Sequence, residues 1–158
     1  MSYNSKKTIA AISTGILLAV AYVIYALSEH SPATEDLKSW AIAMLVFIGI
    51  GVAAVIVVQI IFHIALSIGI AVKEQGQDDK TVERIIASTV VEDERDKLIS
   101  LKSSHIGYIF AGLGFVAALV ALAFGTQFMT ALHIMFGTFS GGGIAEGIVS
   151  VYFYERGI

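Results

Sequence analysis

The sequence contains no cysteine. Disulfide bonds, thiolate metal sites and a thiol nucleophile are therefore excluded, although the compartment is not identified, because a membrane protein need not contain cysteine. Proline is almost as rare, since Pro32 is the only one. It lies among Ser, Glu and Asp residues, which predicts that residues 28–38 form a short exposed turn between antiparallel helices.

Charged residues are scarce as well, at 15% of the chain, whereas 56% of the residues are hydrophobic and the mean hydropathy is +0.81. These values are typical of integral membrane proteins rather than of soluble domains. The net charge is only −3, and acids and bases are interspersed, so nucleic acid is not an expected partner. The lipid bilayer is the expected surroundings of the chain.

Four apolar runs predict an all-α fold, an integral membrane four-helix bundle. Two antiparallel hairpins would be joined by a helical cytoplasmic segment, and residues 1–158 would form a single transmembrane domain. The first run is too long for the core of a signal peptide. The second continues to Val72, so we expect its helix to project beyond the lipid, the alternatives being a strong tilt or a bend near residues 67–69. The predicted spans are about 8–27, 40–66, 104–124 and 128–154.

The only long polar interval, residues 73–102, separates the two hairpins and is called here the charged segment. Its apolar residues recur at helical spacing between Val82 and Val90, which predicts an amphipathic helix. A second helix should begin near Asp93, a candidate N-cap, and continue into the third span. Nine of the ten Lys and Arg residues lie in this segment or in the two chain ends. The positive-inside rule therefore predicts an inner-membrane protein with both termini in the cytoplasm.

The sequence Asp93-Glu94-Arg95, followed by Ile99, Lys102 and Tyr108, runs directly into a membrane helix. It resembles a motif shared by small predicted prokaryotic four-helix membrane proteins of unknown function. The resemblance covers about residues 92–124 together with the four-helix layout. It implies this topology and a charged cytoplasmic motif, and it implies nothing about a substrate or a catalytic residue.

Small residues recur every three or four positions in three of the spans, which allows close approach of neighbouring helices. A run of three glycines at 141–143 could instead break the fourth helix and line a cavity. The residues expected to face other helices are Ala11, Gly15, Ala19, Gly107, Ala111, Gly114, Gly143 and Gly147.

Glu146 is the only acidic residue inside an apolar span. A carboxylate in hydrocarbon is costly, so the residue marks a functional site by default, and its side chain should point into the bundle. The alternative is a protonated or hydrogen-bonded carboxyl group with a structural role.

His63, Gln59 and His105 lie toward the same membrane face as Glu146 and could form an intramembrane polar site with it. Such a cluster would relay protons or, less plausibly, bind a metal or haem, but its spacing matches no motif. Structural histidines are the simpler interpretation, and no metal or cofactor is predicted. His133 lies near the opposite face and cannot join this cluster.

The chain carries no nucleophile elbow, phosphate loop, zincin helix or paired-carboxylate arrangement, so no enzyme is predicted. The first functional hypothesis is a non-enzymatic membrane protein whose charged segment binds a cytoplasmic protein partner or transmits a state. The second is a small transporter or channel that uses Glu146 and requires a homo-oligomer, because four helices enclose little volume. The residues proposed to bind the partner are Asp93, Glu94, Arg95, Lys97 and Lys102.

Overall fold

The computed structural model describes residues 3–73 and 94–156, and every element in these ranges is an α-helix. All four helices are long and apolar enough to cross a membrane, so the prediction of an all-helical chain with four candidate spans is confirmed. The predicted amphipathic helix at 82–90 and the N-cap at Asp93 lie outside the described residues. The helices are α1 (Tyr3–Ala26), α2 (Leu37–Lys73), α3 (Glu94–Ala123) and α4 (Phe128–Arg156).

The two short connections are closed by local hydrogen bonds. Asp36 precedes α2, and its Oδ1 accepts the backbone N–H of Ser39 at 3.1 Å, the geometry of an N-cap. At the end of α3, Gly125 has a φ of 79° and its N–H bonds the carbonyl of Leu122 at 2.9 Å. The N–H of the next residue, Thr126, bonds back to α3 as well, which completes a Schellman motif. The sharp turn that follows lets α4 return along α3.

All four helices exceed the about 20 residues that a bilayer core requires, and α2 and α3 are the two longest. α2 has 37 residues, or about 55 Å at helical rise, and residues 67–69 are helical. α3 is one helix from Glu94 in the charged segment to Ala123 in the apolar region. The expectation that a single helix joins the charged segment to the third span is therefore confirmed.

α4 packs most extensively against α3 and also against α1. Gly15 of α1 lies opposite Ile144 of α4, and Gly147 lies against Ile12. The facing residue numbers rise along α1 as they fall along α4, so these two helices run antiparallel. α2 packs mainly against α1.

An aromatic cluster joins α1, α2 and α4 at the end of the bundle away from the charged segment. The ring of Tyr22 lies 4.2 Å from that of Phe136 and 5.2 Å from that of Phe47, measured between centroids. His133 lies 4.7 Å from Trp40, which is only 3% exposed and donates its indole N–H to the carbonyl of Ala33. Trp40 therefore holds the first connection against the bundle.

Most large aliphatic side chains point outward, including Leu17, Leu45, Ile64 and Leu113. Contiguous exposed apolar surface of this extent is rare on soluble monomers. The surface has the character of one that contacts lipid, while close packing inside the bundle involves small residues, aromatic rings and a few hydroxyl groups.

Candidate functional site

The carboxyl group of Glu146 lies between α4 and α3. Ser104 donates its hydroxyl hydrogen to Oε1 of Glu146, with 2.7 Å between the two oxygens. The Glu146 side chain is half-buried. This hydrogen bond connects the single acidic residue of the four apolar spans to the helix that continues into the charged segment.

Gly107 provides the space for this carboxyl group. A Cβ atom at Gly107 would lie 2.6 Å from Oε2 of Glu146, closer than any side-chain carbon can approach. The expectation that Gly107 faces another helix agrees with this position. Because Gly107 has no side chain, it leaves room for the Glu146 carboxyl group and lets the backbones of α3 and α4 approach closely.

A cavity of about 250 Å³ extends from Glu146 toward the charged end of the bundle, and we call it the polar cleft. Its walls come from α1, α3 and α4. They include two carboxyl groups and several hydroxyl groups, and no basic side chain. The residues that line it are Thr8, Asp96, Ser100, Ser103, Gly143, Glu146, Gly147, Ser150 and Tyr154.

Asp96 lies on the wall of the polar cleft nearer the charged end. Its Oδ1 accepts a hydrogen bond from the side-chain amide of Asn4 at 3.1 Å, which ties α3 to α1. Asp96 precedes Ser104, the hydrogen-bond donor to Glu146, by eight residues on α3, or about 12 Å at helical rise. The cleft thus has one acid near each end.

A second cavity, of about 280 Å³, lies between α3 and α4 and also contacts the Glu146 side chain. We call it the side groove. Its walls are more apolar, because Tyr108, Ala111 and Phe139 contribute to them. Glu146 and Gly143 border both the polar cleft and the side groove. The carboxyl group therefore lies at the boundary between a polar cavity and an apolar one.

The other residues predicted for the polar site do not bond to Glu146. Gln59 and His63 are exposed on α2, and His105 is exposed on α3 beside Ser104. Among the described residues, no three His, Asp or Glu side chains are grouped so that they could hold a metal ion. The structure thus brings Glu146 together with Ser104 and Gly107, and it leaves the three predicted partners on the surface.

Helix register explains why His63 is distant. The pairs on α1 and α4 place Glu146 level with Ser13. The ring contact of Tyr22 with Phe47 fixes the register of α2 on α1, and it places His63 level with Lys6. Seven residues of α1 separate the two levels, or about 10 Å along the bundle.

Apart from Asp96, the charged residues in the described part of the charged segment lie on the outer face of α3. Glu94, Arg95, Lys97 and Lys102 are exposed, and Arg95 donates to the backbone carbonyl of Tyr154 on α4 at 3.5 Å. Asp93 lies outside the described residues. Ile99, in contrast, is 1% exposed. This isoleucine packs inside the bundle, while Glu94, Arg95, Lys97 and Lys102 around it are exposed on the surface.

Some of the small residues make close contacts, some line cavities, and Gly147 does both. Gly114 faces Thr138, and Gly147 faces Ile12 with 2.5 Å between an added Cβ and its Cγ1. Gly143 has nothing within 4 Å of an added Cβ, and it borders the cavities. Ala19 and Ala111 also line cavities, and Gly15 lines the same cavity as Ala19 and makes an ordinary contact with α4. Ala11 is half-buried on α1.

The closest approach in the triple glycine is made by Gly142, which the sequence analysis did not single out. An added Cβ there would lie 2.8 Å from Cβ of Phe110 and 3.3 Å from the carbonyl oxygen of Gly107. Residues 141–143 are helical, so α4 is not interrupted at this point. Three adjacent glycines lie on three different faces of a helix, and the sequence alone does not indicate which of them meets the neighbouring helix.

Comparison of the chain with protein-family models, curated proteins and solved structures found no match.

Proposed function

We propose that this chain is a non-enzymatic, multi-pass inner-membrane protein that transmits the state of Glu146 to its charged cytoplasmic segment. In this proposal the two helical hairpins span the bilayer, both termini are cytoplasmic, and the charged segment binds a protein partner. The observation that carries the proposal is the hydrogen bond from Ser104 to Glu146. It joins the intramembrane carboxyl group to the helix that leads to the charged segment.

The state in question is whether the carboxyl group is protonated or ionised. An ionised carboxylate needs hydrogen-bond donors or water. Here the Ser104 hydroxyl is one donor, and the polar cleft beside Glu146 offers room for water. A protonated carboxyl group needs less solvation and can itself donate a hydrogen bond. The two states therefore favour different widths of the cleft between α3 and α4, which makes proton binding a means of shifting one helix against the other.

A shift at Ser104 would reach the charged segment through a continuous helix. Ser104 and Glu94 are ten residues apart on α3, or about 15 Å. The exposed residues between them include both charged and apolar side chains, with Lys97 and Lys102 beside Leu98 and Leu101. This mixed surface suits a protein partner, and its position relative to α4 would change with the state of Glu146.

Distance measurements between two spin labels test the proposal directly. Because the chain has no cysteine, Leu98→Cys on α3 and Ile148→Cys on α4 provide the only labelling sites, and both wild-type side chains are exposed. In lipid vesicles, the distance distribution should change between low and high pH. The change should disappear when Glu146→Gln is added. An equal change with and without Glu146→Gln would refute the proposal.

A second candidate function is a small oligomeric transporter or channel. The observation that favours it is the position of Glu146, whose carboxyl group borders both the polar cleft and the side groove. Flux of protons or small cations into vesicles would be measured for the wild type and for Glu146→Gln. Flux that depends on Glu146 would support transport, and absence of flux in the wild type would leave signal transmission as the function.

Asp93-Glu94-Arg95 and the residues after it resemble a motif of small prokaryotic membrane proteins. This resemblance stays a prediction. It agrees with this proposal in assigning the charged residues to a cytoplasmic surface. Lys102 and Tyr108 of the motif are both exposed on α3, and Tyr108 also lines the side groove.

A further inference from the structure

A cavity of about 390 Å³ lies between α1, α2 and α4. We call it the phenylalanine cavity, because the rings of Phe47, Phe136 and Phe139 form part of its walls. Among the described residues that line it, only Ser140 has a polar side chain. A cavity of about 150 Å³ with aliphatic and aromatic walls already takes a benzene ring. The phenylalanine cavity is therefore large enough for the apolar part of a ligand.

One face of α4 leads from the phenylalanine cavity to Glu146. Phe139, Gly143, Glu146 and Ser150 follow one another at steps of four, three and four residues, so they lie on the same face of the helix. Phe139 and Gly143 border both the phenylalanine cavity and the side groove. An added Cβ at Gly143 would have nothing within 4 Å, so no side chain fills the space at this position. The space along this face changes from aromatic at Phe139 to acidic at Glu146.

The charge of the walls favours one kind of polar group in an occupant. Among the described residues, no basic side chain lines the phenylalanine cavity, the side groove or the polar cleft. Ser104 donates one hydrogen bond to Glu146, whereas a carboxylate can accept about four. An anionic head group would be repelled by this carboxylate, with no neighbouring cation to offset the repulsion. A protonated amine would form a charge-assisted hydrogen bond with it.

The depth of Glu146 argues against an ordinary phospholipid as the occupant. Glu146 precedes Tyr154 by eight residues on α4, or about 12 Å at helical rise. If α4 crosses the bilayer as proposed, Tyr154 lies near the interface and Glu146 lies within the hydrocarbon. A phospholipid keeps its phosphate at the interface. A small amine with an apolar body can place its single charge at the depth of Glu146, because the carboxylate there neutralises it.

We propose that the phenylalanine cavity and Glu146 together bind one molecule of a hydrophobic amine. The apolar body of the ligand lies among the phenylalanine rings, its chain passes Gly143, and its ammonium group donates to the carboxylate of Glu146. Gly143 is exposed, so the ligand enters sideways from the lipid. The inference rests on the proposed function and names a chemical signal for it, since a bound ammonium group stabilises the ionised state of Glu146.

Three compounds that share one apolar body test the chemistry of the head group. Phenylbutylamine, phenylbutanol and phenylbutyrate carry a cationic, a neutral and an anionic group on the same phenylbutyl chain. Their affinities for the purified protein in detergent would be measured by isothermal titration calorimetry, with empty micelles as the blank. The amine should bind about 10- to 100-fold more tightly than the alcohol, as expected for a hydrogen bond to a charged group. Undetectable binding of the amine, equal affinities for the amine and the alcohol, or tightest binding of phenylbutyrate would overturn the proposal.

Two sets of variants test where the ligand lies. Glu146→Gln should lower the affinity for the amine to that for the alcohol, and it should leave the affinity for the alcohol unchanged. Gly143→Leu should weaken the binding of both compounds, because the new side chain fills the space between the phenyl ring and Glu146. Gly141→Leu is the matched control, since an added Cβ there also meets nothing within 4 Å and position 141 borders none of the three cavities. Unchanged amine affinity in Glu146→Gln, or equal losses in the two leucine variants, would overturn the proposal.

The spin-label distance between positions 98 and 148 separates failure of this inference from failure of the proposed function. A distance that responds to pH through Glu146, in a protein that does not bind the amine, would overturn the ligand and leave signal transmission intact. Amine binding that depends on Glu146, in a protein whose distance does not respond to pH, would support the ligand site and overturn the transmission.

Discussion

Gly107 and Glu146 share one space between α3 and α4, since a Cβ at Gly107 would lie 2.6 Å from the carboxylate oxygen Oε2. The carboxyl group is also fixed by the Ser104 hydroxyl one turn earlier on the same helix. Because α3 contributes both the donor and the space, the position of Glu146 depends on the exact register of these two helices. Substitutions at these positions therefore test the site more directly than substitutions of Glu146 alone.

Gly107→Ala should destabilise the protein relative to Gly112→Ala. Gly112 lies on the same helix with nothing within 4 Å of an added Cβ, so alanine there should be neutral or stabilising by about 0.5–1 kcal/mol. At position 107 the new methyl group would push aside the carboxyl group, which is the flexible end of the Glu146 side chain. The expected cost is the lost hydrogen bond with Ser104, about 0.5–1.5 kcal/mol. Unfolding in detergent with increasing denaturant measures both variants. Equal stabilities would contradict the geometry described for Glu146.

Gly142→Ala and Gly141→Ala form a second matched pair. The methyl group at 142 would collide with Phe110 and with the backbone of Gly107, neither of which is a flexible side-chain end. We expect a loss of about 1–3 kcal/mol of stability from this overpacking. At position 141 an added Cβ meets nothing within 4 Å, so no loss is expected. The same unfolding experiment measures the difference, and a larger loss at 141 would show that α4 is rotated relative to the described structure.

The four helices can be predicted from the lengths and compositions of the apolar runs. Asp36 marks the start of α2 by accepting a hydrogen bond, and Gly125 marks the end of α3 by its positive φ. The inward direction of Glu146 also follows from the cost of a carboxylate in lipid. Its partners do not follow, because the register and rotation of α3 against α4 depend on many weak contacts between distant parts of the chain. For that reason Ser104 was missed, and Gly143 was selected where Gly142 makes the close contact.

The start of α2 should depend on pH through Asp36. Hydrogen bonds from the Ser39 hydroxyl and backbone N–H lower the pKa of this carboxyl group below its ordinary value of 3.8. The folded pKa is thus below the unfolded one, so the ionised group stabilises the helix start above pH 3.8, and this contribution is lost as the pH falls through the folded pKa.

Hydrogen exchange at the Ser39 amide measures this effect. Asp36→Ala should increase the exchange rate at neutral pH, because the N–H loses its acceptor. In the wild type, acid should raise the exchange rate of the Ser39 amide relative to its intrinsic rate. Asp36→Ala should abolish this increase. Glu35→Ala, at the neighbouring exposed position, is the control and should change neither value. An Asp36→Ala variant with unchanged protection of Ser39 would refute the N-cap.

The proposed topology predicts which residues can be labelled from outside the cell. Thr34 lies in the connection between α1 and α2, and Lys97 lies in the charged segment, and both are exposed. A membrane-impermeant maleimide applied to intact cells should modify Thr34→Cys and leave Lys97→Cys unmodified until the membrane is opened. The reason is the concentration of basic residues in the charged segment and the chain ends. The reverse pattern would invert the orientation.

The carboxyl stretching band of Glu146 should report both its hydrogen bond and its access to water. Glu146→Gln identifies the band by removing it from the infrared difference spectrum recorded between low and high pH. Ser104→Ala should shift the band to higher frequency, because Oε1 loses the hydroxyl donor 2.7 Å away. Ser103→Ala is the matched control, since the Ser103 hydroxyl donates to the carbonyl of Ile99 on its own helix. In heavy water the wild-type band should shift rapidly, because the polar cleft leads from Glu146 toward the charged end of the bundle. If Ser104→Ala leaves the band unchanged, the Ser104 hydroxyl does not bond Glu146 in the membrane. α3 would then have no side-chain hydrogen bond that responds to the protonation of Glu146.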